Sequence, residues 1–341
     1  MLKFSTLREA ENKAKKKINY KIFNWLQSGA EDDYTLDKNF LDLKSIKIIP
    51  KHLSKINKIN TSSYFFKTKL EYPILLAPMG HQTQFHKNGE IETCDGARKA
   101  NILSFFGTQS RMKLEQIAKK NDFIGWTIFP FGDLKWIDSQ IYSAEKNKCI
   151  AIILCIDANV RSHRYSDRES SYDARKIGKR TNPISPNPEQ SLKYDWSLIK
   201  YIKKKTKLPV IPKGILSVED CKQAINNKAD GIWISNHGGR MFNSGITPVE
   251  ALKNIKKKIK IKKKIIIVDG AIRKGSDIIK YLSLGANFIA VGRPAMHGLI
   301  CDGSNGVKNI FEILKSELTS AMINGGFKNL KSFKNNRIII K

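Results

Sequence analysis

From Pro73 onward the chain alternates short apolar runs with polar loops and amphipathic stretches. The runs are Ile74–Ala77, Ile102–Phe106, Phe123–Ile128, Ile150–Ile156, Pro209–Pro212, Gly231–Ile234, Ile265–Val268 and Phe288–Val291, eight in all. Continuous rather than alternating apolar runs predict strands buried on both faces, as in a parallel sheet covered by helices. Helix signals fall between them. Thr247-Pro248-Val249-Glu250 has capping-box spacing with proline at the first helical position. Ser217-Val218-Glu219-Asp220 opens another helix with acidic residues at its positive end, and Gly285 stands where a third should stop. Eight strand–helix units in order predict an α/β fold, a (β/α)8 TIM barrel. An open doubly wound sheet is the other candidate, but its Gly-x-Gly-x-x-Gly phosphate turn is absent.

Two segments stand outside the repeat. Residues 1–72 are expected to form helices and a short β unit packed on the barrel of 73–341, the whole chain being one domain. Residues from about 158 to 194 form a long insert after the fourth strand, rich in Arg, Ser, Asp and Pro. Its place on the C-terminal rim of a barrel predicts an active-site lid.

The residues that follow the strands of such a barrel share one mouth. The first strand delivers Pro78-Met79-Gly80-His81, the fourth Asp157 with Arg161 and Arg164 close behind, and the fifth Lys213-Gly214. The sixth ends in Ser235-Asn236-His237-Gly238-Gly239-Arg240, the seventh in Asp269-Gly270 with Arg273, and the eighth in Gly292-Arg293. An imidazole titrates near neutrality and can take a substrate proton. A guanidinium keeps its charge and grips a carboxylate with paired hydrogen bonds. Glycine and arginine after the last two strands are placed as barrels place a phosphate site. No carboxylate pair is spaced for glycoside hydrolysis, and no His/Cys/Asp set predicts a metal.

Composition narrows the setting. With 341 residues and 41% hydrophobic content the chain can bury a large core. Five scattered cysteines, Cys94, Cys149, Cys155, Cys221 and Cys301, form neither a zinc pattern nor a disulfide framework, which points to a reducing, cytoplasmic compartment. No apolar run reaches the roughly 20 residues needed to span a bilayer, and the start Met1-Leu2-Lys3-Phe4-Ser5 lacks a secretory apolar region. The net charge is +30. Lysine clusters at 15–17, 203–205, 256–258 and 262–264 punctuate helix ends and strand entries instead of gathering with aromatics. That distribution predicts a solvated surface and no nucleic-acid site. The charge still favours anionic substrates and leaves peripheral contact with an anionic membrane open.

These motifs carry a resemblance over nearly the whole chain. Ser28-Gly29-Ala30-Glu31-Asp32, Ala77-Pro78, Lys213-Gly214, Ser235 to Arg240, Asp269 to Gly275 and Gly292-Arg293-Pro294 resemble the FMN-dependent α-hydroxy acid oxidase/dehydrogenase family. That family includes glycolate oxidase, lactate oxidase and flavocytochrome b2. The resemblance implies FMN as cofactor and a small anionic substrate, an L-2-hydroxy acid or a related hydroxylated carboxylate, oxidised to the keto product. It implies that His237 takes the hydroxyl proton while a hydride, or its electron equivalent, passes from Cα to flavin N5. Asp157 would orient the imidazole and stabilise its cation, Arg240 and Arg164 would clamp the carboxylate, and Lys213 would stand beside the flavin N1/O2 edge. Asp269, Gly270, Arg273, Gly292 and Arg293 would hold the ribityl phosphate, and Ala77, Pro78, Met79, Thr108, Thr127, Cys155 and Ser235 would line the flavin site. It further implies a homotetramer that passes electrons to oxygen, a quinone or a protein.

The chain departs from the family at four places. Trp25 and Phe129 stand where the family has active-site tyrosines, Thr127 where it has a glutamine, and Cys155 where it has a threonine. Losing both phenols removes two donors toward the substrate, which predicts one larger or more apolar than glycolate or lactate. Two alternatives are weighed. One is an FMN barrel isomerase acting without net redox, which would not need the Arg164/Arg240 clamp. The other is a basic, non-enzymatic binding protein, which would not need a tuned base.

Overall fold

The computed structural model describes residues 3–261, 263–333 and 337–340. Lys262 of the last lysine cluster, and Met1 and Leu2 of the N-terminal reading, lie outside the described residues. Three helices open the chain, Leu7–Lys17, Tyr20–Gln27 and Tyr34–Ser45, followed by strand β1 (Ile46–Ile48). A tight antiparallel hairpin of β2 (Ser63–Phe65) and β3 (Thr68–Leu70) comes next. The expected strands then appear in order: β4 (Ile74–Leu76), β5 (Ser104–Gly107), β6 (Ile124–Ile128), β7 (Ile152–Cys155), β8 (Val210–Ile215), β9 (Gly231–Ile234), β10 (Ile265–Asp269) and β11 (Phe288–Val291). They close into one parallel barrel, β11 pairing back onto β4. A last strand, β12 (Ile338–Ile340), pairs antiparallel with β1.

Every barrel strand but β6, whose Ile124, Trp126 and Ile128 all pack outward, divides its apolar side chains between two cores. Leu75, Phe105, Ile153, Ile211, Trp233, Ile267 and Phe288 fill the interior, while Ile74, Leu76, Trp126, Ile152 and Ile266 pack outward under the helices. This is why the runs are unbroken. Phe65 of the hairpin plugs the interior, its ring 6.0 Å from Phe105 and 5.5 Å from Phe288. The opposite end is left for the site.

The predicted caps form. Thr247 Oγ1 accepts from Glu250 N at 3.2 Å while Glu250 Oε2 accepts from Thr247 N at 2.9 Å, at the head of the helix Pro248–Lys258. Ser217 Oγ accepts from Asp220 N at 2.9 Å, and Gly285 follows the helix Gly275–Ser283 with φ +101°. The lysine triplets 15–17, 203–205 and 256–258 occupy the last turns of three helices, where cations complement the helix dipole.

The segment 158–194 contributes Ala158, Val160, Arg161 and Arg164 to the lining of a cavity at the barrel mouth. It holds a short helix, Tyr165–Glu169, and is tied to the rim by Thr181 N and Asn182 N donating to Arg111 O, and by Asn187 N donating to Phe131 O. The N-terminal segment reaches the same rim: Ala30 N donates to Gly239 O at 2.8 Å, and Glu31 N to His163 O at 2.6 Å.

Candidate active site

His237 stands at the first turn after β9 with a left-handed backbone, φ +57°, followed by Gly238 at +66° and Gly239 at +76°. A Cβ on Gly239 would sit 2.6 Å from Leu36 N, so the turn requires glycine there. His237 Nδ1 lies 3.1 Å from Asp157 Oδ1. A carboxylate only accepts, so Nδ1–H donates and Nε2 is left as the basic nitrogen. Gly214, at φ +119°, lets Asp157 in: a Cβ there would come 2.6 Å from Asp157 Cβ. The same residue sits in a register shift between Lys213 and Ile215 on the β8–β9 ladder. Irregular pairing of this kind re-aims a side chain beside a site.

Ser235 joins three strand ends. Its hydroxyl accepts from Lys213 Nζ and from His237 N, each at 3.0 Å, and donates to Asp269 Oδ1 at 2.8 Å. Asp269 Oδ2 accepts from Trp233 Nε1 at 2.9 Å and lies 3.8 Å from Lys213 Nζ. Lys213 is buried. Burial alone would lower its proton affinity, but the Asp157 and Asp269 carboxylates raise it above the ordinary lysine value. Burial alone would raise Asp157, but the neighbouring His237 and Lys213 hold its carboxyl well below the usual range. His237 is lowered, first by burial and then by Lys213, with Asp157 opposing. The ring is therefore neutral at working pH, and its cation has a carboxylate waiting.

Four arginines converge on the same mouth. Arg240 donates to the carbonyls of Trp25, Leu26 and Ser28, and Arg293 to those of Leu26, Ser28 and Gly238. Both guanidiniums thereby cap the C-terminal end of the helix Tyr20–Gln27, where carbonyls are unpaired and the dipole is negative. Arg164 and Arg240 lie 5.9 and 5.0 Å from the centre of the Trp25 ring. Arg273 stands over Phe40 at 5.0 Å, with Glu11 3.8 Å away. Burial, then Arg164 and Arg293, lowers Arg240 well below the ordinary value; burial, then Arg273 and Arg164, brings Arg293 to about 9. Buried guanidiniums that repel one another are stabilised by incoming anions.

A cavity of about 340 Å³ runs through this mouth. Of the residues expected at the site, Trp25, Ala77, Pro78, Met79, Phe129, Arg164, Lys213, His237, Arg240, Asp269, Gly270, Arg273, Gly292 and Arg293 line it. Asp157, Ser235, Thr108, Thr127 and Cys155 stand behind that lining. Thr108 Oγ1 accepts from Phe129 N at 3.2 Å, and Cys155 Sγ donates to Asp157 Oδ1 at 3.1 Å. Cys155, Asp157 and His237 thus bring three potential metal ligands together, a grouping that sequence spacing alone does not predict. Burial, then Asp157, raises the Cys155 thiol well above its usual value, and a protonated thiol is a poor ligand.

The sequence reading overlooked two features: the carbonyl cap that seats Arg240 and Arg293, and a reciprocal amide pair. Asn236 Nδ2 donates to Asn39 Oδ1 at 2.7 Å and Asn39 Nδ2 to Asn236 Oδ1 at 3.1 Å.

The comparisons agree with this geometry. The family of FMN-dependent dehydrogenases matches residues 14–340. The chain belongs to that family. It is 31% identical to a 2-hydroxyacid oxidase of Dictyostelium discoideum, over 98% of this chain and 90% of that protein. It is 29% identical to a 4-hydroxymandelate oxidase of Amycolatopsis orientalis, over 94% of each. Among solved structures, mandelate oxidase with (S)-2-phenylpropionate superposes with a TM-score of 0.92 at 29% identity, covering 99% of this chain and 98% of that one. As a member of the family this protein is an FMN-dependent oxidoreductase with a (β/α)8 barrel.

The residues present suit FMN. Arg293 and Arg273 put positive charge, only partly balanced by Glu11, at the ends of the last two strands, matching a phosphate. Thr127 faces the barrel interior at its strand end with a buried Oγ1 that has no partner among the described residues. Lys213 adds a buried cation at the mouth.

Proposed function

We propose that this protein oxidises an L-2-hydroxy acid, or a closely related hydroxylated carboxylate, to the 2-keto product, with His237 as the base. The observation that carries this is the half-buried His237–Asp157 pair beside Lys213, in a cavity also lined by Arg164 and Arg240. Nε2 takes the hydroxyl proton. Nδ1–H, donating to Asp157, keeps the ring in place, and the carboxylate stabilises the imidazolium once the proton has arrived. Arg164 and Arg240 receive the substrate carboxylate and fix the carbon that reacts. Lys213 holds positive charge near where electrons arrive. FMN, when bound, supplies the two-electron acceptor. Arg273, Arg293, Gly270 and Gly292 would hold its ribityl phosphate, with Ala77, Pro78, Met79, Thr108, Thr127, Cys155 and Ser235 around the ring. An isomerase acting without net redox has no use for the carboxylate clamp.

Trp25 and Phe129 give the cavity apolar walls, the Phe129 ring lying 6.3 Å from that of His237. We read them as selecting a substrate larger than glycolate or lactate. Relatives named oxidases favour oxygen as final acceptor over a quinone or a protein, which an oxygen-uptake trace tests. The same reading treats residues 1–341 as one FMN-binding unit that assembles as a homotetramer in the cytoplasm. Light scattering of the purified holoenzyme checks the assembly.

The base assignment is tested with His237→Ala. The variant should keep FMN and slow anaerobic flavin reduction by about 10²–10⁴-fold, the usual contribution of a general base. A rate near that of the parent would remove His237 from this role.

A further inference from the structure

Beside Trp25 the cavity also has a polar lining built around His81. Its ring meets the edge of Trp25 at 5.9 Å and lines the cavity. Arg111 Nε lies 3.2 Å from His81 Nδ1. Arginine only donates, so Nδ1 accepts, and a neutral ring must carry its proton on Nε2. Arg111 cannot turn away. It is buried, its Nη2 donates to Ala174 O, and its backbone N donates to the buried Glu90 at 2.9 Å. Burial, then Arg111, Arg180 and Arg164, pushes His81 down to about 3, so the ring stays neutral throughout the working range. Its Nε2–H has no protein partner among the described residues.

The surroundings of that donor favour negative charge. Arg161 also lines the cavity, half-exposed, no closer than 3.9 Å to Asp173 and 4.0 Å to Asp167. Arg175, by contrast, is committed to Asp173 by paired hydrogen bonds. Gln109 lines the cavity with its Nε2 donating to Ser185 Oγ at 3.0 Å. A fixed neutral donor at the edge of Trp25 and a loosely held guanidinium in the same cavity can together receive an oxygen anion. The Arg164/Arg240 pair packs on the same Trp25 ring, 5.9 and 5.0 Å from its centre.

We propose that His81 Nε2–H and Arg161 bind a second carboxylate at the far end of the substrate, which makes the preferred substrate a 2-hydroxy dicarboxylic acid. This rests on the oxidation reading above and specifies it. A larger substrate is selected not by apolar bulk alone but by what its distal end carries.

The test uses holoenzyme and substrates matched in chain length: 2-hydroxyglutarate against 2-hydroxypentanoate, and 2-hydroxyadipate against 2-hydroxyhexanoate. Anaerobic flavin reduction gives kcat/KM, and perturbation of the flavin spectrum by the corresponding 2-keto acids gives Kd. The parent should prefer the diacid of at least one pair by roughly 10- to 100-fold, the effect of one charge-assisted hydrogen bond. His81→Leu should bring that ratio close to one, and His81→Gln, which keeps an N–H donor, should recover part of it. Because a ratio is read, a general loss of activity in a variant does not disturb the result. A parent that prefers the monoacid of both pairs, or a preference that survives His81→Leu, overturns the proposal. If no acid reduces the flavin, the oxidation reading fails. The keto-acid Kd ratios then still decide whether His81 reads a distal carboxylate.

Discussion

His237 is pulled two ways. Burial and the Lys213 ammonium lower its proton affinity, while the Asp157 carboxylate resists them. The sign follows directly. The base works when neutral, so kcat/KM for flavin reduction should rise with pH through an apparent pKa below the ordinary histidine value of about 6.5, then level off. Asp157→Asn removes the opposing charge and should move that limb to lower pH while lowering the plateau. A parent limb above neutrality, or an upward move in the variant, would contradict this balance. Arg240 invites a second test at the same scale. Its guanidinium is already seated on three carbonyls, and a lysine cannot reproduce that planar fork. Arg240→Lys should therefore impair turnover although the charge is kept. Replacing the substrate carboxylate by a neutral amide should cost the parent heavily and Arg240→Ala much less, and equal losses would show that Arg240 does not bind that group.

The elements differ in how openly the sequence announces them. The eight strands are legible because burial on both faces leaves unbroken apolar runs, and the helices because caps such as Thr247–Glu250 are local. The strand ends then collect His237, Asp157, Lys213 and the arginines by topology alone. What holds the catalytic turn is not local. Asn39 and Asn236 exchange amide hydrogen bonds across 197 positions, and an asparagine in a helix carries no sign of such a partner. The carbonyl cap on Arg240 and Arg293 is hidden for the same reason, since backbone oxygens have no signature in a sequence. The pairing of His81 with Arg111 also depends on two loops that meet only after the barrel closes. Asn39→Leu should remove two of the hydrogen bonds of the buried Asn236 amide, leaving those with Ile246 O and Gly239 N, and cost about 1–3 kcal/mol. A denaturant midpoint indistinguishable from the parent, with FMN retained, would show that the pair does not brace the turn.

At the scale of the molecule, hairpin, barrel, insert and N-terminal helices together leave one end of the barrel open to a cavity walled by Trp25 and Phe129. Apolar walls reward apolar substrate surface at roughly 25 cal/mol per Å² buried and give little to a short, hydrated acid. Longer 2-hydroxy acids should therefore show higher kcat/KM than glycolate or lactate, and Phe129→Tyr should shift preference toward the smaller acids. The highest kcat/KM on glycolate or lactate would defeat this reading of the walls. The central claim, that this mouth oxidises 2-hydroxy acids through FMN, meets its most direct test without oxygen. Holoenzyme mixed anaerobically with a panel of 2-hydroxy acids should lose its flavin colour and form one keto acid per flavin. FMN that stays oxidised with every acid, or bleaching without keto acid, would contradict it.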